Sequence, residues 1–377
     1  MMSKGLLKKA GLGLTMILAA FAFAACGEDE AQGTLGFGTA AHSTPNKRRL
    51  LNYLYDEYGK HMISGQMDTA WTTNAQMDMI ARVYADTGKY PALKGFDFME
   101  LTGYGQWETP GFNQTDEAIE WWDAKNNDET LAPGKHGIVA FCWHWRMPAS
   151  GGSHGNGDNY NTTFRIPYQN GWNTSSPAYT LIRADLDLVA AELQKLKDKN
   201  IPVLWRPLHE ASGGWFWWGM NGAAAYKALW RFMYDYLTNE KGLDNLIWVW
   251  NGQNAEWFPG ADTVDIVGND VYHNYNPTDY SSQVGTFMNT YNMVPERNRI
   301  VALTENGAIP DPDNCVKDGA QWSFFMTWND SGAPGTNENN FWSGEHHNTQ
   351  AHKKKVYTHD FVITLDELPD LTAYRAD

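Results

Sequence analysis

Eight short runs rich in β-branched and aromatic residues recur along the chain, and each stays apolar until its last positions, where charged and amide side chains take over. They fall at 61–66, 92–98, 137–145, 202–209, 246–251, 264–271, 300–304 and 322–328. Helical patterns separate them. Segment 178–199 carries Leu181, Leu186, Leu188, Leu193 and Leu196 on one face and charges on the other. Segments 223–238 and 350–362 read similarly, and 46–58 forms a helix ahead of the first run. Strand-sized runs alternating with helices are the mark of repeated βα units. Eight of them predict an α/β chain folded as a (β/α)8 TIM barrel. A doubly wound open sheet is the rival, but its glycine-rich first turn is missing.

A barrel places its chemistry at the C-terminal ends of its strands. Six runs end accordingly: Trp143-His144-Trp145, Arg206-Pro207-Leu208-His209-Glu210, Trp250-Asn251, Asn269-Asp270-Val271-Tyr272, Thr304-Glu305-Asn306 and Trp328-Asn329-Asp330.

The N-terminus is set apart. Lys4, Lys8 and Lys9 precede a short apolar run ending in Ala24-Ala25-Cys26. That is a secretory leader, and it resembles the lipoprotein type, cleaved before a cysteine that then carries the lipid. The run falls short of the roughly 20 residues a membrane span needs. The acidic Gly27-Glu28-Asp29-Glu30 resembles an export tag that directs lipoproteins to the outer cell surface; a solvated linker is the plainer reading. The expected division is a signal peptide at 1–25, a linker at 26–41 following lipidated Cys26, and one catalytic domain at 42–377. The expected location is the cell envelope, at the outer membrane, with the lipid as the sole membrane contact.

Loss of the leader's three lysines takes the formal charge from −15 to −18. So acidic a chain, without a basic patch, is a poor binder of nucleic acid. Cys142 and Cys315 remain, one ending a strand and the other in a distant loop; each reads as a small buried apolar residue, unpaired. Eighteen tryptophans, eighteen tyrosines and sixteen phenylalanines exceed what a core usually takes. Aromatic faces beside Asn, Asp, Glu and His suit sugar rings, whose C–H faces stack while their hydroxyls seek polar partners.

Glu210 and Glu305 end the fourth and seventh runs, which lie across a barrel mouth from each other. Glycosidic bonds are cleaved by such a carboxyl pair, about 5–5.5 Å apart for retention and about 6.5–9.5 Å for inversion. Taken singly, either glutamate reads equally well as a salt-bridged structural group. Ionised Glu305 wants donors and positive charge, which Arg206 is placed to supply if strand alternation turns it inward with Glu210. Glu210 must hold its proton, which burial near Trp215–Trp218 favours.

The segment from Trp205 to Gly219, with Arg206-Pro207-Leu208-His209-Glu210 at its heart, resembles the acid/base signature of glycoside hydrolase family 26. Ala302-Leu303-Thr304-Glu305-Asn306-Gly307 resembles that family's nucleophile strand. The likeness runs from about Asn46 to the C-terminus. It implies a retaining enzyme with Glu210 as acid/base and Glu305 as nucleophile, acting on internal bonds of β-1,4-mannans. Mixed-linkage β-glucan or β-1,3-xylan is the minority alternative. It further implies that His144 and His209 hydrogen-bond the sugar before the scissile bond, that Trp328 floors it, and that Trp215 stacks on the leaving side. Tyr272 would orient Glu305, and Asp270 and Arg206 complete the substrate-binding set. No cofactor and no metal are expected. Trp143 and Trp145 face away from His144 and pack.

Other features are less promising. Glycine-rich 151–158 lacks the lysine and context of a phosphate loop and reads as a loop bordering the cleft. His346, His347 and His352 read as a solvated helix start, and Lys353-Lys354-Lys355 as a solvated helix face. The long stretches 101–136 and 147–179 are candidate cleft walls. Against the hydrolase stand a glycan-binding lipoprotein without activity, which has no use for both glutamates, and a zinc- or phosphate-dependent barrel enzyme, which lacks the ligand spacing.

Overall fold

The computed structural model describes residues 43–69, 78–102, 113–123, 135–148, 162–273, 276–331 and 338–376. The leader, Cys26, the acidic run, the glycine-rich loop and much of both candidate walls lie outside them. Ten strands follow one another among the described residues. The outermost two, β1 (Met62–Ile63) and β10 (Val362–Ile363), pair in parallel as a separate ladder. The remaining eight close into a parallel barrel in chain order: β2 (Gly65–Met67), β3 (Leu93–Asp97), β4 (Ile138–Trp143), β5 (Val203–Pro207), β6 (Leu246–Trp250), β7 (Ile266–Val271), β8 (Ile300–Asn306) and β9 (Phe325–Thr327). Closure is made where Gln66 meets Thr327. The expected (β/α)8 architecture is therefore the observed one.

The helices are α1 (Pro45–Glu57), α2 (Met79–Thr87), α3 (Gln114–Trp122), α4 (Pro177–Asp198), α5 (Gly222–Tyr234), α6 (Val284–Tyr291), α7 (Pro312–Asp318) and α8 (Gln350–Tyr357). Helix α4 shows why they form. Ser176 caps it by accepting from Ala178 N–H, Pro177 opens it with a preset φ, and Ile182, Leu186, Val189, Leu193 and Leu196 supply one buried stripe. Lys195 and Lys197 meet the negative end of its dipole.

Three expectations need correcting. The first run is two strands, divided at Ser64. Its hydroxyl donates to Ile363 O at 2.8 Å and accepts from Ala92 N at 3.1 Å, so the chain leaves the ladder there and enters the barrel. The last predicted helix stops at Tyr357, and its β-branched end becomes β10. Cys315 sits in α7 rather than a loop, although it and Cys142 are indeed free and buried.

The tryptophan surplus also has a different use from the one expected. Among the described residues ten tryptophans are wholly buried. Trp230 and Trp248 pack edge to face at 5.5 Å, each indole N–H satisfied by a threonine hydroxyl, Thr263 and Thr238. Burying an aromatic of this size contributes about 2–3 kcal/mol, so much of the aromatic excess holds the barrel together. His352 and Lys353 are buried too. His352 stacks on Tyr280 at 3.5 Å, and Lys353 pairs with Asp86 at 3.1 Å beneath the Trp342 ring. A solvated face is the wrong description of either.

Residues Tyr374, Arg375 and Ala376 clasp α1. Asn52, Arg49 and Arg48 donate to the carbonyls of Arg375, Tyr374 and Ala376. Arg375 in turn pairs with Asp56 at 2.7 Å.

Candidate active site

The mouth is built from strand ends that depart from regular alternation. Strand β5 stops at Pro207, and Leu208 and Glu210 both take left-handed backbone, φ 54° and 53°. Non-glycine residues adopt that region at a cost, and they do so mainly where a site demands it. Two such kinks bury Leu208 completely and swing Glu210 into the cleft. Alternation from Arg206, the expected route, is not how it gets there. The kinks are held: Glu210 N–H donates to Asn251 O at 2.7 Å, Tyr226 Oη to Leu208 O at 3.2 Å, and Trp218 Nε1 to His209 O at 2.8 Å. Trp218 thus braces the loop from inside, and Trp217, also buried, donates to Trp145 O at 2.8 Å, so neither indole N–H is turned to Glu210. Trp215 alone of that cluster is exposed, at 41 %, with its indole N–H on Glu210 Oε2 at 3.1 Å.

Glu305 reaches the cleft by another irregularity. Asn269 pairs with Leu303, but Asp270 pairs with Glu305, so Thr304 is an extra residue in β8. Such a bulge re-aims neighbouring side chains. Thr304 Oγ1 accepts from Asn251 Nδ2 at 2.7 Å and donates to Asp270 Oδ1 at 2.7 Å. Gly268 makes room, since a Cβ there would lie 2.4 Å from Thr304 Cγ2.

One oxygen each from Glu210, Asp270 and Glu305 lie within 4.8 Å of one another. Arg206, buried, donates Nη2 to Glu305 and Nη1 to Asp270 Oδ2 at 3.2 Å. Tyr272 Oη donates to Glu305 Oε2 at 2.5 Å. Burial, then the charges of Glu305 and Asp270, push the Tyr272 phenol well above its ordinary pKa, so it stays a donor. Glu305 therefore holds a guanidinium on one oxygen and a phenol on the other. Glu210 has no such support. Burial first, then the negative charges of Asp270 and Glu305, raise it to about 9. The two glutamates are alike in chemistry and opposite in environment.

His144 follows β4, and Trp143 and Trp145 on either side stack on each other at 4.0 Å, buried. The ring of His144 lies 5.4 Å from Trp328. His209 is only 1 % exposed and directs Nε2 at His144 Nε2, 3.1 Å away. It meets the cleft through His144. Arg206 and the side chain of Asp270 are likewise enclosed, behind the glutamates rather than facing open solvent.

Asp97 was missed by the sequence reading, although it ends β3 as His144 follows β4. Its carboxylate accepts His144 Nδ1–H at 2.6 Å and backbone N–H of His144 and Met99 at 3.0 and 2.8 Å. An acid inside the apolar run 92–98 was the available signal. Asn251 and Thr304 had been noted only as strand ends, and their bonds to the bulge come from tertiary contact.

A (β/α)8 barrel whose mouth juxtaposes two glutamates at this separation, one proton-holding and one clamped by cation and phenol, has the design of a glycoside hydrolase. Comparison with known proteins gives the family. The chain belongs to glycosyl hydrolase family 26, whose model matches residues 40–367. It is 34% identical over 334 residues to a mannan endo-1,4-beta-mannosidase of Thermothelomyces thermophilus, covering 85% of this chain and 61% of the relative. With mannan endo-1,4-beta-mannosidase B of a Piromyces species it shares 36% identity over 325 residues, 86% of this chain and 52% of the relative. The chain thus spans little more than half the length of these curated relatives. The crystal structure of a β-mannanase from a symbiotic protist of the termite Reticulitermes speratus, complexed with gluco-manno-oligosaccharide, superposes with a TM-score of 0.70. The identity is 32%, over 84% of this chain and 92% of that one.

Proposed function

We propose that the chain hydrolyses internal β-1,4-mannosidic bonds of mannan-type polysaccharides by double displacement with retention. The close approach of the Glu210 and Glu305 carboxyls carries this reading: an oxygen of each lies within 4.8 Å of the other, in keeping with the roughly 5–5.5 Å of a retaining pair and short of the roughly 6.5–9.5 Å that leaves room for a water. Glu305, oriented by Tyr272 and Arg206, attacks the anomeric carbon as the glycosidic bond breaks. Glu210, raised to about 9 and hence protonated at neutral pH, gives its proton to the departing oxygen. In the second step Glu210, now a carboxylate, takes a proton from water, which displaces Glu305 and regenerates both groups. Trp215, exposed beside Glu210, would take the leaving sugar, and Trp328 and His144 the sugar that is attacked; the Trp215–Glu210 contact and the nearness of the His144 and Trp328 rings support this.

Mannan is favoured because the relatives and the superposed structure are mannanases by name. The test is reducing-sugar release from galactomannan, with NMR of the first anomer formed. Retained configuration and loss of release in Glu305→Ala are expected; equal release by both proteins removes the nucleophile, and inverted product removes the mechanism. The leader and Cys26 support anchoring by an N-terminal lipid at the outer membrane, exposed at the surface. Labelling of cells with a fatty-acid analogue, lost in Cys26→Ala, is the expected result; labelling that persists in the variant counts against it.

A further inference from the structure

Three neighbouring strand ends carry a line of polar groups from Asp97 through His144 to His209. Each link constrains the next. Asp97 Oδ1 accepts the backbone N–H of His144 at 3.0 Å and of Met99 at 2.8 Å, while Oδ2 faces His144 Nδ1 at 2.6 Å. A carboxylate only accepts, so a contact this short puts a proton on Nδ1. Beyond it, His144 Nε2 and His209 Nε2 stand 3.1 Å apart, a gap that holds one proton and not two. His209 Nδ1 is buried without a partner among the described residues, so the ring has His144 as its one recorded hydrogen-bond partner. Both imidazoles come within 4.8 Å of Glu305.

We propose that Asp97 is a positioning residue of the cleft: by taking both the ring and the backbone N–H of His144, it fixes that ring's tautomer and rotation, and through it those of His209, before sugar arrives. The hierarchy runs one way because Asp97 is anchored independently of both rings. Its own backbone N–H is held by Gln114 Oε1 at 2.7 Å, and Oδ1 by Met99. The electrostatics agree. Burial raises Asp97, but the His144 charge and these donors more than reverse it, leaving the carboxyl below its ordinary range. Burial lowers His144, and Asp97 more than reverses that in turn. Burial, the His144 charge and Arg206 hold His209 well below its ordinary range. The two directions are opposite, so the proton between the rings sits more readily on His144 than on His209. Ligand-binding histidines oriented by a buried carboxylate follow the same logic in metal sites and triads.

The inference rests on the glycosidase reading of the cleft for its consequence, but not for its test. Asp97→Asn keeps Oδ1 and its two backbone donors while turning an N–H group toward His144 Nδ1. In 15N-labelled protein, His144 Nδ1 is expected to give the signal of a protonated nitrogen in the wild type and of a bare one in Asp97→Asn. His209 should shift with it, and kcat on mannan should fall about 10- to 100-fold, as for other supporting shells, at unchanged melting temperature. A bare Nδ1 in the wild type overturns the proposal and can be read even if the variant does not fold. So does a switched tautomer with kcat within about twofold of wild type. A wild type inactive on every β-mannan removes the substrate reading, while the nitrogen signals still decide the Asp97 lock.

Discussion

Tyr272 Oη lies 2.5 Å from Glu305 Oε2, on the oxygen that Arg206 leaves free. The two donors divide the carboxylate between them, so neither can substitute for the other. Tyr272→Phe removes a hydrogen bond to a charged group and nothing else of the ring. Such bonds are worth about 1.5–3 kcal/mol, which sets the expected fall in kcat at about 10- to 100-fold. Steady-state kinetics on mannan checks it, and a variant as fast as wild type shows the phenol idle.

Glu210→Gln removes the proton donor but keeps its shape. On polysaccharide the loss should reach about 10²- to 10⁴-fold, the usual worth of general acid–base catalysis. An aryl glycoside with an acidic phenol departs without protonation, so its first step should be nearly spared and its enzyme-bound sugar should accumulate. A burst of phenol followed by slow turnover is the signature; equal losses on both substrates would move the acid role elsewhere.

Asp270 and Glu210 are coupled through charge. Above about pH 7 Asp270 is itself losing its proton, since burial and Glu305 raise it to about that value. Its negative charge then helps hold the proton on Glu210. Removing it in Asp270→Asn should lower the pKa of Glu210, and the alkaline limb of the kcat profile should move to lower pH. A limb that stays in place, or moves up, contradicts the assignment.

Gly268 is a packing prediction. A methyl group there meets Thr304 Cγ2 at 2.4 Å and Oγ1 at 2.5 Å, so Gly268→Ala must displace the bulge that aims Glu305. Overpacking of this kind costs about 1–3 kcal/mol. Denaturant titration should show that loss, and kcat should fall with it, although residue 268 touches no substrate. Unchanged values of both would mean the bulge has other room to move.

The barrel was readable because its signal is redundant. Eight apolar runs with polar ends state the same fold many times over, and a misread boundary at Ser64 or Tyr357 leaves the count nearly intact. The glutamate pair was readable for a related reason, since each residue sits where a strand stops being apolar. What was hidden is conformational. Left-handed backbone at Leu208 and Glu210 and the extra Thr304 in β8 break alternation, and although Pro207 marks where β5 stops, none of these three positions is itself a glycine or proline that would announce it. Burial of His209, His352 and Lys353 was hidden too, because polar residues with tertiary partners look like surface residues until the partners are known. Tryptophan was misjudged in the opposite sense. Its abundance suggested sugar platforms, and most of it is mortar.

The ladder between β1 and β10 joins residues near opposite ends of the fold, Met62 to Val362 and Ile63 to Ile363, and Ser64, at the step from ladder to barrel, gives its hydroxyl to Ile363 O. A chain cut short before Ile363 would retain every group of the cleft and still lack the stitch that holds the first staves in line.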